Sequence, residues 1–105
     1  MLCLLLSLIV SRIEANPNNY SISGRISDER TGSPLPGASI LIKGTYLWAV
    51  SDQKGEFTIQ GIQEGKYQLE VSFLGYVPAT VPVNVNNSIK GLKIQLKENT
   101  LALND

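Results

Sequence analysis

The sequence predicts an all-β domain, a sandwich of six or seven short antiparallel strands. Hydrophobic residues alternate with polar ones at a period of two along most of the chain, as they do in half-buried strands. Segments rich in Gly, Pro, Asn and Asp separate these runs at regular intervals. No window carries the period of an amphipathic helix. Short strands at this spacing are typical of antiparallel sandwiches.

The first residues predict an export signal that precedes the sandwich. Residues 2–10 form an apolar run shorter than the roughly 20 residues that a membrane-spanning helix needs. With the small Ala15 behind it, the run fits a secretory signal peptide over residues 1–15. A buried N-terminal strand is the alternative, although Leu-rich runs lack the β-branched bias of strands. Cleavage would remove Cys3, the one cysteine, so the fold would depend on its core rather than on disulfides.

After a polar linker at 16–19, the sandwich is expected to occupy residues 20–97. The clearest strand is 66–73, in which large apolar residues alternate with polar ones. The large residues expected to face inward are Ile22, Ile26, Ile40, Ile42, Phe57, Ile59, Tyr67, Leu69, Val71, Phe73, Val81, Val83 and Ile94. Turns are expected at 28–37, 61–65 and 85–88, and the segment DQKG at 52–55 predicts a tight hairpin with Gly55 at positive φ.

The last two strands carry irregularities. In the strand near 79–85 the apolar residues occupy odd-numbered positions, whereas Pro78 and Pro82 occupy even-numbered positions and so belong to the opposite face. Because proline cannot donate to a ladder, we expect this strand at a sheet edge, where prolines also discourage aggregation. The final strand, near 89–96, changes parity at Gly91, which predicts a bulge.

The composition argues against enzymatic activity and against nucleic-acid binding. The 105 residues include nine basic, nine acidic and no histidine side chains, so the formal net charge is zero. This balance removes the electrostatic argument for nucleic acid or anionic membranes as partners. Histidine is the commonest general base and metal ligand, and without it Ser-His-Asp catalysis is impossible. We therefore expect no enzymatic activity, no cofactor and no metal.

The acidic and basic clusters have ordinary interpretations. Asp52 and Glu56 stand too close together, with too few oxygen ligands between them, for a calcium loop. The adjacent carboxylates Asp28 and Glu29 are interpreted as solvated loop charge. The lysines near the last strand form a solvated face, since no aromatic residues lie between them as a nucleic-acid surface would require.

Three segments together resemble a known family. They are ISGRISDERTGSPLPGASILIKGT at 22–45, SDQKGEF at 51–57 and VSFLGY at 71–76. In this order they resemble the carboxypeptidase-regulatory-like domain, which implies a seven-stranded antiparallel transthyretin-like β-sandwich. The residues of this structural motif are Pro34, Pro36, Gly37, Gly44, Asp52, Gly55, Phe57, Gly75 and Tyr76. The prolines fix φ and the glycines permit tight turns, while Phe57 is expected to point inward and Tyr76 to cover one end of the sandwich.

This version is similar to the N-terminal extension of TonB-dependent outer-membrane receptors of Bacteroidetes-type bacteria. The resemblance implies a non-enzymatic domain in the periplasm, at the outer membrane when part of a receptor. It would mediate protein contacts or spacing in nutrient uptake, with the plug and barrel or periplasmic and inner-membrane proteins as partners. The tail at 97–105 is similar to the segment that leads towards the TonB box, so residues 98–105 are expected to link to a downstream region absent from this sequence.

One departure from the family pattern suggests a contact surface. Family members often have a small residue where Trp48 stands, and Tyr46 lies beside it. Both are candidate partner contacts, because Trp and Tyr are enriched at interaction hot spots. Packing of Trp48 at the sandwich edge is the alternative. A free-standing secreted adhesion or carbohydrate-binding module, and an accessory domain of a peptidase, remain as competing functions.

Overall fold

A computed structural model describes residues 19–99 as seven strands in two sheets. The strands are β1 (Tyr20–Asp28), β2 (Ser39–Ile42), β3 (Trp48–Val50), β4 (Glu56–Ile62), β5 (Gly65–Ser72), β6 (Ala79–Val85) and β7 (Ile89–Leu96). One sheet has the order β4-β1-β7 and the other β3-β2-β5-β6. The predicted signal peptide lies outside the described residues.

The predicted all-β sandwich is confirmed, and all but one of its strand pairings are antiparallel. The exception is the pairing of β1 with β7, which is parallel, with Ile26 opposite Ile94 and Asp28 opposite Leu96. On its other side β1 pairs antiparallel with β4. Alternation could not reveal the parallel pairing, because side chains alternate with the same period in both kinds of sheet.

The turn at Asp52–Gly55 corrects one prediction, because it does not form a hairpin within a sheet. It joins β3 of the four-stranded sheet to β4 of the three-stranded sheet. The local geometry is that of a tight turn, since the Gly55 N–H donates to the Asp52 carbonyl at 2.8 Å and Gly55 has φ of 78°. A turn of this kind reverses the chain without determining which sheet the next strand enters.

The core lies between the two sheets and is built from the inward faces that alternation predicted. All but four of the predicted inward residues are buried, and those four pack half-buried against the core: Tyr67, Phe73, Val81 and Val83. Leu35 and Ile62 are also buried, although no alternating pattern marked them. Ile62 is the last residue of β4, whereas Leu35 lies in the connection between β1 and β2, where its N–H donates to the Ile26 carbonyl at 3.0 Å.

Both predicted irregularities of the last strands are present. β6 is an edge strand, and Pro82 lies opposite Gln68 of β5. The Gln68 carbonyl accepts a hydrogen bond from the Lys43 N–H at 2.9 Å, so Gln68 bonds towards β2. Pro82 therefore turns its nitrogen to the free edge and removes no donor from the ladder. Gly91 has φ of 72° and lies where the β1–β7 register shifts.

Candidate partner-contact surface

The turn between β2 and β3 projects an aromatic side chain into solvent. Thr45 holds this turn: its hydroxyl donates to the Ile42 carbonyl at 2.8 Å and accepts from the Leu47 N–H at 3.0 Å. Gly44, with φ of 83°, permits the reversal. Tyr46 stands at the tip and is 97% exposed.

Large apolar side chains continue from this tip along the outer face of the hairpin. Trp48 lies opposite Leu41, and Val50 follows on the same face of β3. Trp48 is 62% exposed and Val50 is 50% exposed, whereas Ile40 on the inner face is fully buried. We call Leu41, Tyr46, Trp48 and Val50 the outer hairpin patch. An exposed apolar group of this kind is typical of an interaction surface.

The outer hairpin patch is uncharged, and charge begins at its border. Lys43 Nζ lies 3.6 Å from Glu70 Oε2, and Glu70 is opposite Leu41 on β5. Both side chains are about half exposed, so this ion pair contributes little to stability. The patch therefore suits an apolar or aromatic contact better than a charged one.

β3 also presents backbone groups at the edge of its sheet. The Ile42 N–H donates to the Leu47 carbonyl, and the Ser51 N–H donates to the Ala38 carbonyl. Since bonding alternates along an antiparallel pair, the backbone groups of Trp48 and Val50 point away from β2. The β3 edge lacks the proline that marks β6, and this makes it the more open of the two edges.

Most other motif residues meet at the opposite end of the sandwich and hold the fold. Gly55 accepts a hydrogen bond from the Ile26 N–H at 2.7 Å, and a Cβ at Gly55 would lie 3.2 Å from Pro34 Cβ. Gly37 has φ of 88° and donates to the Ser51 carbonyl at 3.0 Å. Gly44 belongs to the hairpin turn instead.

Ser51 is a buried polar residue that sequence reasoning did not single out. Its hydroxyl donates to the Leu35 carbonyl at 2.6 Å and accepts from the Ala38 N–H at 2.9 Å. It thereby bridges the first and last residues of the turn that contains Pro36 and Gly37. No pattern within the turn reveals this bridge, because Ser51 is distant in sequence.

Asp28 corrects the interpretation of a solvated loop charge, since the residue is only 6% exposed. The Tyr76 hydroxyl donates to Asp28 Oδ2 at 2.5 Å, and the N–H groups of Arg30 and Thr31 donate to Oδ1. The Tyr76 bond and then the Thr31 bond lower the pKa of Asp28 to about 2. The same carboxylate raises the pKa of Tyr76 to about 12. The sequence contained one sign of this role, because an Asp that begins a turn containing Gly commonly accepts hydrogen bonds from the N–H groups that follow it.

Asp52 has a structural role in the turn between β3 and β4. Asp52 Oδ1 accepts the N–H groups of Lys54 and Glu56 at 2.9 and 2.8 Å, so this carboxylate holds its turn. Within the described part of the chain, no three Asp, Glu, Cys or His side chains come together as a metal site. Over the same residues, no helix is long and apolar enough to cross a membrane.

The described residues form a small β-sandwich domain whose β2–β3 hairpin exposes large apolar side chains. The chain belongs to the CarboxypepD_reg-like domain family, whose family model matches residues 22–105. It is 30% identical over 105 residues to the TonB-dependent receptor SusC of Bacteroides thetaiotaomicron, covering 100% of this chain and 10% of that protein. It is 29% identical over 101 residues to TonB-dependent receptor P3 of Formosa agariphila, covering 96% of this chain and 10% of that protein. The chain thus spans about a tenth of these relatives.

Solved structures share the sandwich. A chain of the type II cohesin–X-dockerin complex of Acetivibrio cellulolyticus matches with a TM-score of 0.65 and 25% identity, over 73% of this chain and 56% of that chain. The group B streptococcus pilus 2b backbone protein matches with a TM-score of 0.62 and 18% identity, over 80% of this chain and 43% of that chain. The second likeness concerns the fold alone.

Proposed function

We propose that this chain is the N-terminal domain of a longer TonB-dependent outer-membrane receptor. The observation that carries the proposal is its alignment along 100% of its length with a TonB-dependent receptor, of which it covers 10%. The domain is exported by its leader, lies in the periplasm at the outer membrane and carries no catalytic activity. It mediates protein contacts or spacing during nutrient uptake.

The outer hairpin patch makes the protein contact in this proposal. Trp48 supplies a large aromatic surface, and Leu41 and Val50 extend it along the hairpin. The exposed β3 edge adds backbone donors and acceptors beside them. The partners are the plug and barrel of the parent receptor or proteins of the periplasm and inner membrane.

Receptor membership is tested by the gene and the location of its product. We expect the reading frame to continue past the Asp105 codon into a plug and barrel, and the product to sediment with outer membranes. A stop codon at this point, together with stable secretion of the 105-residue chain, would refute the receptor proposal.

The contact role is tested by a photo-crosslinking residue placed at Trp48, with Thr58 as the matched control. Thr58 is exposed on β4, in the other sheet. In cells that express the whole receptor, we expect a defined crosslink to the receptor itself or to a periplasmic or inner-membrane protein from position 48 and none from position 58. Equal crosslinking from both positions would remove the patch from the proposal.

A secreted carbohydrate-binding module is the second candidate, since exposed Tyr46 and Trp48 also offer aromatic faces to a sugar. Glycan-array binding that disappears in Trp48→Ala would favour this candidate. An array without signal would count against it.

A further inference from the structure

The first and last strands of the domain lie side by side and run in the same direction. Their register extends from Ile22 opposite Ile89 to Asp28 opposite Leu96. Tyr20 therefore starts β1 at one end of the sandwich, beside Ile62, and β7 finishes at the other end. The chain enters at one end, here called the entry end, and leaves at the opposite one, the exit end.

This arrangement determines how the domain responds to tension along the chain. A pull on both ends draws β1 towards the entry end and β7 towards the exit end. The two strands are then displaced along their own axes, so the hydrogen bonds between them are loaded together in shear. We infer that the domain is a load-bearing module, in which the β1–β7 ladder resists tension transmitted through the chain.

The ladder is built to hold two backbones in close contact. The Glu29 N–H donates to the Leu96 carbonyl at 2.9 Å, which sets the bonding pattern of the parallel pair. By alternation, the backbone groups of Leu92 also face β1, and its carbonyl lies so near Gly24 that a side chain there would collide with it. β1 is held on both sides, since β4 pairs with its other edge.

Buried side chains and terminal contacts reinforce the ladder. Ile26 and Ile94 lie opposite one another and are 0% and 3% exposed, so sliding one strand would draw apolar surface out of the core. At the entry end the Ser21 N–H donates to Ser88 Oγ at 3.1 Å. At the exit end the hydroxyl of Tyr76 holds Asp28.

The segment after β7 is also bound to the exit end. The Val77 N–H donates to the Lys97 carbonyl at 2.8 Å, and the Asn99 N–H donates to the Gly75 carbonyl at 2.9 Å. A pull on the C-terminal side reaches these contacts before it reaches the ladder. The inference goes beyond a contact role and is independent of which protein supplies the tension.

Force spectroscopy on the full 105-residue chain tests the inference by changing only the direction of pulling. The variant used for this test has the substitutions Cys3→Ser, Asn19→Cys and Asn87→Cys, and it has a peptide handle at each terminus. Asn19 precedes β1 and Asn87 precedes β7, so thiol handles there pull both strands at the entry end and peel them apart. Terminal handles on the same protein load the ladder in shear.

We expect the mean unfolding force through the termini to lie well above the force through the two thiols, with distributions that do not overlap. Equilibrium stability is identical in the two geometries, so a difference reports the mechanical route of unfolding. Equal forces, or a weaker response through the termini, would overturn the inference. Neither result bears on receptor membership, because no receptor is present.

A matched pair of core truncations gives a second test. Leu96 in β7 and Leu69 in β5 are 1% and 0% exposed. Leu96→Ala and Leu69→Ala should both lower the thermal midpoint, but only Leu96→Ala should strongly lower the force through the termini. An equal fall in force for both variants would mean that overall stability, and not the β1–β7 ladder, limits resistance. If either variant fails to fold, the comparison of pulling directions decides alone.

Discussion

The Ser51 hydroxyl makes two hydrogen bonds with buried backbone groups, and we expect both to stabilise the domain. The hydroxyl bridges the Leu35 carbonyl and the Ala38 N–H within the interior. Ser51→Ala would leave both backbone groups buried without a partner, so we expect a loss of about 1–3 kcal/mol in the free energy of unfolding. Urea denaturation measures this loss.

Ser39 supplies the control for that substitution. Its hydroxyl bonds only to the Ser72 hydroxyl, at 2.8 Å in an exposed position. Ser39→Ala should therefore change stability by no more than about 0.5 kcal/mol. Similar losses for the two variants would show that the Ser51 bridge is not special.

The Asp28–Tyr76 pair makes stability depend on pH at both extremes. The folded-state pKa of Asp28, about 2, lies below its ordinary value of 3.8. The associated stabilisation is therefore complete above that ordinary value and is lost as the pH falls towards the folded pKa. The pKa of Tyr76 is raised from 10.0 to about 12, so its share is complete below pH 10.0 and is lost as the pH rises through that interval.

Tyr76→Phe tests this coupling. The variant lacks the hydroxyl that contributes most to the lowered pKa of Asp28, although the Thr31 N–H bond remains. Between about pH 5 and about pH 2.5 we expect its free energy of unfolding to fall less than that of the native chain. Urea titrations at the two pH values provide the measurement. Parallel declines in the two proteins would contradict the assigned bond.

At the scale of elements, the turn between β3 and β4 depends on a glycine for two separate reasons. Gly55 has φ of 78°, and a Cβ there would collide with the Ile26 carbonyl. Gly32 has the same φ of 78° but open space around it. Alanine at either site costs roughly 1–2 kcal/mol for the left-handed backbone.

Only Gly55→Ala adds overpacking, which typically costs a further 1–3 kcal/mol or so. We therefore expect Gly55→Ala to destabilise the domain more than Gly32→Ala by about that amount. Chemical denaturation of both variants gives the difference directly. Equal losses would mean that conformation alone, and not the close approach of β1, requires the glycine.

The proline in β6 protects an edge without weakening the ladder. In Pro82→Thr the edge gains an outward N–H, so we expect greater self-association at high concentration with little change in stability. Asn84→Thr is the control, because Asn84 lies on the same strand and already has its N–H. Light scattering compares the two, and identical behaviour would argue against a protective role for Pro82.

The sequence could predict the strands but not all of their partners. Parity placed Ile22, Ile40 and Leu69 in the core correctly, because each strand buries one face. The parallel pairing of β1 with β7 and the bond from Tyr76 to Asp28 depend on segments far apart in the chain. The exposed patch at Trp48 was suggested by residue type, whereas its extension to Leu41 depends on register.

At the scale of the whole molecule, we expect stability to require the last strand, β7. A chain ending at residue 88 would lack β7, leaving one edge of β1 unpaired and removing Ile94 and Leu96 from the core. We expect that chain to be unfolded, while a chain ending at residue 99 retains all seven strands and folds. Far-UV circular dichroism and protease resistance measure the outcome. A cooperative melt of the shorter chain would contradict this view.

The parallel neighbours β1 and β7 also order events during synthesis. A ribosome releases the N-terminus first, so β1 emerges before every other strand and its partner β7 emerges last. The two hairpins of the four-stranded sheet can pair as they appear, but the three-stranded sheet can close only when nearly the whole domain has been made. An incomplete chain therefore keeps one edge of β1 unpaired, which leaves the backbone groups of that edge open to chaperones and proteases until the last strand arrives.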